Sequence, residues 1–120
     1  MQNLDFSTNW NHKLTCGIFS TLRMSGRFDL DQIVEVTLSN KLLGTATCIH
    51  KERIPITLLS DAQCYLDTGY GYDETVGILA KMYPTKNLKT DHIYYYLFKW
   101  NQVTGHRTLI VKERQLAMQF

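Results

Sequence analysis

The chain has 120 residues, of which 44% are apolar and 20% charged, and a formal net charge of +2. A chain of this length forms one domain that buries roughly two thirds of its unfolded surface without staples, and its composition is that of an ordinary globular protein. No run of 18 apolar residues occurs, which argues against a membrane-spanning helix, and a charge of +2 is too small alone to argue for nucleic acid.

The stretch Met1 to Lys13 is polar and lacks the apolar core of a signal peptide, so the expected compartment is the cytoplasm. Phe19 to Met24 reads as a short strand entering a turn at Ser25-Gly26. Ile33 to Leu38 alternates Val34, Val36 and Leu38 with polar residues, a period of two that gives a strand one core face. Ser39-Asn40-Lys41 marks a turn. Leu43 to His50 then returns as the paired strand, with Gly44 marking a bulge or a close approach. Ile54 and Ile56, around Pro55, extend an edge strand.

Ser60 is an N-cap for a helix over Asp61 to Leu66, and Thr68-Gly69-Tyr70-Gly71 breaks it. Asp73 caps a second helix over about Glu74 to Tyr83, which Pro84 stops. Ile93 to Trp100 is an aromatic strand. In it Ile93, Tyr95 and Leu97 share one face, and Tyr94, Tyr96, Phe98 and Trp100 share the other. One set is core and the other is a candidate interface. Thr104-Gly105 forms a hairpin-like turn, with Thr108 to Val111 returning antiparallel. Strands, two short helices and strands again make an α+β domain: a small, mostly antiparallel β-barrel with the helices covering one end.

Charge is unevenly spread. Residues 28–80 carry eight acids against three bases, whereas residues 81–120 carry seven bases against Asp91 and Glu113. A basic face of that kind attracts phosphates. Cys16, Cys48 and Cys64 include no C-x-x-C pair, so they read as three reduced, mostly buried thiols. His12, His50, His92 and His106 lack metal-ligand spacing. No Gly-rich phosphate loop or Ser-His-Asp arrangement is present, and neither metal nor cofactor is expected.

Three places carry a family likeness. Gly17-Ile18-Phe19-Ser20-Thr21-Leu22-Arg23 resembles the first-strand motif of the ASCH family, with its Thr-hydrophobic-Arg ending. Ile33-Val34-Glu35-Val36 followed by Gly44-Thr45-Ala46 resembles its central hairpin. Asp61-Ala62, Asp67-Thr68-Gly69-Tyr70 and Met82-Tyr83-Pro84 resemble its helical insertion. The likeness covers about residues 6–100, and the strand Tyr94 to Lys99 fits it too. It implies a single PUA-like barrel over residues 1–120, with a core of about 6–112 and a tail at 113–120. It also implies a cleft between the first strand and the helices that binds RNA or a nucleoside.

Small bacterial ASCH proteins include amidohydrolases that deacetylate N4-acetylcytidine with a Lys, a Thr and an acid. The resemblance places the Thr at Thr21 and the acid at Asp67 or Glu74. The Lys position falls on Ile18, which argues against that catalysis because Ile can neither take a proton nor hold an oxyanion. Lys13 or Lys99 could reach in from elsewhere, though the sequence does not show it.

The ligand-binding candidates are Ser20, Thr21, Arg23, Asp67, Tyr70 and Lys99. Arg23 can offer a bidentate fork to phosphate, its structural alternative being a salt bridge to Asp67 or another acid. Tyr70, on a Gly-flanked loop, can stack on a base. The first expectation is thus an RNA- or nucleoside-binding module. The alternatives are an amidohydrolase acting on an acylated nucleoside, and a protein-interaction or dimerisation module using the aromatic strand.

Overall fold

A computed structural model of the chain describes residues 1–103. The expected turn at Thr104-Gly105, the strand Thr108 to Val111 and the 113–120 tail lie outside the described residues, as do Arg107, Lys112 and Arg114.

Five strands form one sheet: β1 (Asn3–Phe6), β2 (Ile18–Arg23), β3 (Ile33–Leu38), β4 (Lys41–Pro55) and β5 (His92–Val103), in the order β1-β3-β4-β5-β2. The β1–β3 pair is parallel and the other pairs are antiparallel. The sheet curls into a half-barrel that does not close, so the barrel expected from the sequence is an open one. Side chains bridge its two edge strands: Phe6 of β1 meets Phe19 of β2 edge to face, with centroids 5.9 Å apart.

The β3–β4 hairpin turns on Ser39 and Asn40, both with positive φ. Gly44 adopts φ 151°, where L side chains rarely go, at the register shift between Val36 and Thr37. β4 then runs on past the end of β3 to Pro55, its last residue. Proline is tolerated there because the ladder ends with it.

α1 (Asp61–Thr68) starts at Ser60 as expected, with a full capping box: the Ser60 hydroxyl accepts from Gln63 N–H and the Gln63 side chain accepts from Ser60 N–H. Gly69, at φ 83°, ends it in the left-handed conformation. α2 (Tyr72–Met82) begins two residues earlier than the sequence suggests. Its N-cap is Gly71, not Asp73, because Asp61 at the start of α1 accepts a hydrogen bond from Tyr72 N–H at 2.9 Å. A cap supplied from eleven residues away leaves no local sequence signal. Among the described residues no helix is long and apolar enough to cross a membrane.

β5 lies between β4 and β2 and sends side chains into two cores. Tyr96 and Phe98 join Leu4, Phe6, Phe19, Phe28, Val34 and Val36 inside the curl, with Tyr94 and Trp100 packed against them. Ile93 and Tyr95 join Leu22, Ile56, Leu59, Cys64 and Leu79 beneath the helices, with Leu97 packed alongside. The sequence leaves one face of this strand for an interface, whereas here the helices cover the second face. Cys48 and Cys64 are buried free thiols and Cys16 is half-buried.

Candidate functional site

A segment missed in the sequence sets up the site. Trp10–Thr15 is an irregular 3-10 turn, with Asn11 (φ 55°) and His12 (φ 51°) in the left-handed region. The Asn9 side chain accepts from Leu14 N–H at 3.0 Å, and Cys16 N–H donates to the Lys13 carbonyl at 3.0 Å. These bonds turn the next side chain inward. Lys13 Nζ reaches Asp67 Oδ1 on the last turn of α1 at 2.6 Å, with both residues buried (5% and 7% exposed).

Asp67 therefore pairs with Lys13 and not with Arg23. The Arg23 guanidinium donates from Nε to Thr21 Oγ1 at 2.9 Å and from Nη2 to the Asp5 carbonyl at 2.7 Å. One ring supports both cations: Arg23 and Lys13 lie 4.7 and 5.0 Å from the Phe6 centroid. Burial pulls the Lys13 pKa below its ordinary value; Asp67 opposes that shift by charge and hydrogen bond, and Arg23 adds to it. Burial likewise lowers that of Arg23, against the opposing pull of Tyr83, Asp67 and Asp5.

These groups line a cavity of about 180 Å3 between β1, β2, the Trp10–Thr15 turn and the two helices. Its polar wall includes Lys13, Thr21, Arg23, Asp67, Thr68 and Thr75, with Asp5, Ser7 and Thr8 from the β1 side. Thr68 donates to the Cys64 carbonyl and shares a 2.9 Å hydrogen bond with Thr75, so these two hydroxyls are already engaged. Thr21 differs: its oxygen accepts from a guanidinium, which leaves its own proton to be donated elsewhere.

Of the residues singled out in the sequence, Thr21, Arg23 and Asp67 meet at this cavity. Three do not. Ser20 points to the opposite face of β2, where its buried hydroxyl lies near the Tyr95 phenol and tempers the rise that burial imposes on it, short of hydrogen-bond geometry. Tyr70 is 49% exposed, outside the cavity wall. Lys99 is exposed, opposite Ile18 and Thr47 in the sheet. Glu74 is exposed on α2 and does not line the cavity, so of the two candidate acids Asp67 is the one found there, alongside Asp5. Ile18, half-exposed, does not reach it either. Among the described residues no cluster of His, Cys, Asp and Glu forms a metal site. Lys13, Trp10, Phe6 and Asp5 are the lining residues that sequence reasoning did not place there; the one hint was that Lys13 could reach in.

No protein-family model matches the chain, and no curated protein matches it. A crystal structure of protein EF3133 from Enterococcus faecalis V583, of the family DUF984, is similar in fold. Its TM-score is 0.62 at 8% identity, with 80% of this chain and 71% of that one covered. At such identity the likeness shows the fold alone.

Proposed function

We propose that this domain is an RNA- or nucleoside-binding module that receives a single base-sized group in the cavity beside Thr21. One observation carries the reading: of the six buried polar or charged residues among those described, five (Lys13, Thr21, Asp67, Thr68 and Thr75) line that cavity. Buried polar groups are costly unless they are paired or used. The cavity is smaller than the roughly 300–1,000 Å3 of sites that enclose a whole small molecule, which suits one ring better than a chain of nucleotides. The resemblance of Gly17 to Arg23 to the ASCH first strand supplies the ligand class.

Arg23 enters differently from the sequence expectation. Two of its five N–H groups are committed to Thr21 and Asp5, so the Nε side of its fork is occupied and only the outer edge of the guanidinium is left for a ligand. With the buried Lys13 charge already paired to Asp67, the inserted group is read as neutral, with any phosphate contacts made outside the cavity. Calorimetric titration with cytidine, uridine and a short single-stranded RNA, each at low and moderate salt, tests this. Nucleoside affinity is expected to vary little with salt and RNA affinity to fall as salt rises. Absence of binding to all three would overturn the proposal.

A second reading is favoured by a specific observation. Lys13 comes from a different segment to the neighbourhood where Ile18 fails to supply a lysine, and it shares the cavity with Thr21 and Asp67. This is the residue set that amide hydrolysis of an acylated nucleoside would use: a hydroxyl whose oxygen a guanidinium stabilises, with a buried amine and carboxylate to move its proton. Incubation with N4-acetylcytidine and chromatography for cytidine decides it. Folded protein that releases none is not this hydrolase.

A further inference from the structure

The Trp10–Thr15 turn separates two hollows, and Lys13 lines both. On one side is the polar cavity. On the other is a groove of about 660 Å3 lined by Cys16, Ile18, Ser20, Tyr65, Leu66 and Leu97. The cavity falls below the roughly 300–1,000 Å3 of sites that hold whole small molecules, and the groove falls within that range.

Two features mark this turn as a part held against a fixed frame. Asn11 (φ 55°, ψ 22°) and His12 (φ 51°, ψ 26°) are successive left-handed residues, neither of them glycine. Such conformations persist where surroundings enforce them, and Asn and His are among the residues that enter and leave them most easily. Leu14 seats the C-terminal part of the turn in the apolar core, while the two long-range polar anchors, from Asn11 and Lys13, both lead to the C-terminal turn of α1. Asn11 Nδ2 donates to the Tyr65 carbonyl at 3.2 Å, and Lys13 holds Asp67 at 2.6 Å. Asn11 also fills the space that Gly69 leaves open: a Cβ on Gly69 would sit 3.2 Å from Asn11 Cγ. Desolvation works against the charged form of Lys13, so part of the attraction in its pair is offset and the anchor is weaker than its distance suggests.

We propose that the Trp10–Thr15 turn is a latch, closed on the end of α1 by Asn11 and Lys13, whose release removes the wall between the polar cavity and the groove beside Ser20. This holds whatever the ligand is, and its failure would leave the binding proposal standing.

Amide hydrogen exchange on the intact chain tests the latch. Lys13→Met is expected to speed exchange at His12, Leu14 and Cys16 by roughly tenfold or more beyond whatever change the lost charge partner causes at β4 and β5 amides. Unchanged protection of those three amides in folded Lys13→Met overturns the latch. Should that variant fail to fold, a urea series on the wild type decides. A latch gives urea-insensitive exchange at the three amides, through local opening. Exchange that occurs only in step with β4 and β5 means that the turn opens only by global unfolding, and the idea fails. Joining of the hollows is read separately with Ser20→Cys, buried at the groove floor in the closed form. Thiol labelling mapped by peptide mass is expected to be much faster at position 20 than at Cys48, and faster again with Lys13→Met. A position 20 thiol as inert as Cys48 would show that the hollows stay apart.

Discussion

The two regions that give this domain its interior are built on opposite rules. Inside the curl of the sheet the buried residues are mostly apolar, and the Tyr96 hydroxyl is satisfied by the Ser25 carbonyl at 2.8 Å. Where the Trp10–Thr15 turn, β2 and the helices meet, buried polar groups crowd together: Lys13, Thr21, Asp67, Thr68 and Thr75. The first region stabilises by area and shape. The second stabilises only as long as each group keeps its partner. A chain that builds an all-apolar core on one side has no need of a buried charge pair on the other for stability, because apolar replacements of such pairs often do as well. The difference is what supports placing the proposed site at the junction.

The largest expected effects separate the two rules. Phe98→Ala, in the stacked and edge-packed ring cluster with Phe19 and Phe28, should lower unfolding free energy by about 3–5 kcal/mol in urea titration. Asp67→Ala should cost a similar ~3–5 kcal/mol, by stranding a buried ammonium. The second loss should be reversible and the first should not. Combining Asp67→Leu with Lys13→Met removes both charges, and stability should return to within about 1–2 kcal/mol of wild type while ligand binding stays absent. If the double variant is as unstable as Asp67→Ala, the junction is structural in the same sense as the ring cluster.

Smaller by a step is Thr75→Val, which keeps shape and deletes the hydroxyl bonded to Thr68. A loss of about 1 kcal/mol is expected, where Val34→Thr, a polar group introduced inside the curl, should cost about 1–3 kcal/mol. Equal tolerance of both exchanges would erase the distinction between the regions.

How much of this could be read from the sequence follows the same divide. β3, the α1 cap and the alternating faces of β5 were legible because their signals are local: a period of two, and a Ser with a Gln three residues on. β1 was not, since four residues acquire strand character only by lying parallel to β3. The Trp10–Thr15 turn was not, because its left-handed pair contains no glycine to announce it. Thr21, Arg23 and Asp67 could be found through the ASCH resemblance. Lys13 could be suspected but not placed, as its direction depends on that turn. Tyr70 and Lys99 suited a binding role by residue type alone, and packing leaves them outside the cavity. The face of β5 left as a candidate interface is covered by helices that come from a distant part of the chain, which leaves no local signal.

A pH series distinguishes the regions more finely. The folded-state pKa of Lys13 lies below its ordinary 10.5, so between those two values the folded chain holds fewer protons than the unfolded one. The contribution of this group to stability therefore rises with pH across that window. Cys48 and Cys64, raised above 9.0 by burial, and Tyr95 and Tyr96, raised above 10.0, act oppositely: their contribution is lost as pH climbs past those values. Wild type and Lys13→Met should both weaken in alkali, but wild type minus variant should grow toward pH 10.5. A difference that stays flat would mean that Lys13 keeps an ordinary pKa.

The smallest expected effect tests where the site ends. Tyr70 is half-exposed on the α1–α2 loop, its backbone N–H is bonded to Thr68, and it is not one of the residues that line the cavity. Tyr70→Ala should change stability by no more than about 0.5 kcal/mol and leave cytidine affinity within about twofold. A stacked base would instead lose about 1–3 kcal/mol of binding on this substitution. That outcome would extend the site across the loop and make an aromatic residue outside the cavity part of the polar junction's work. The expected outcome would confine the proposed recognition to the buried groups that line the cavity.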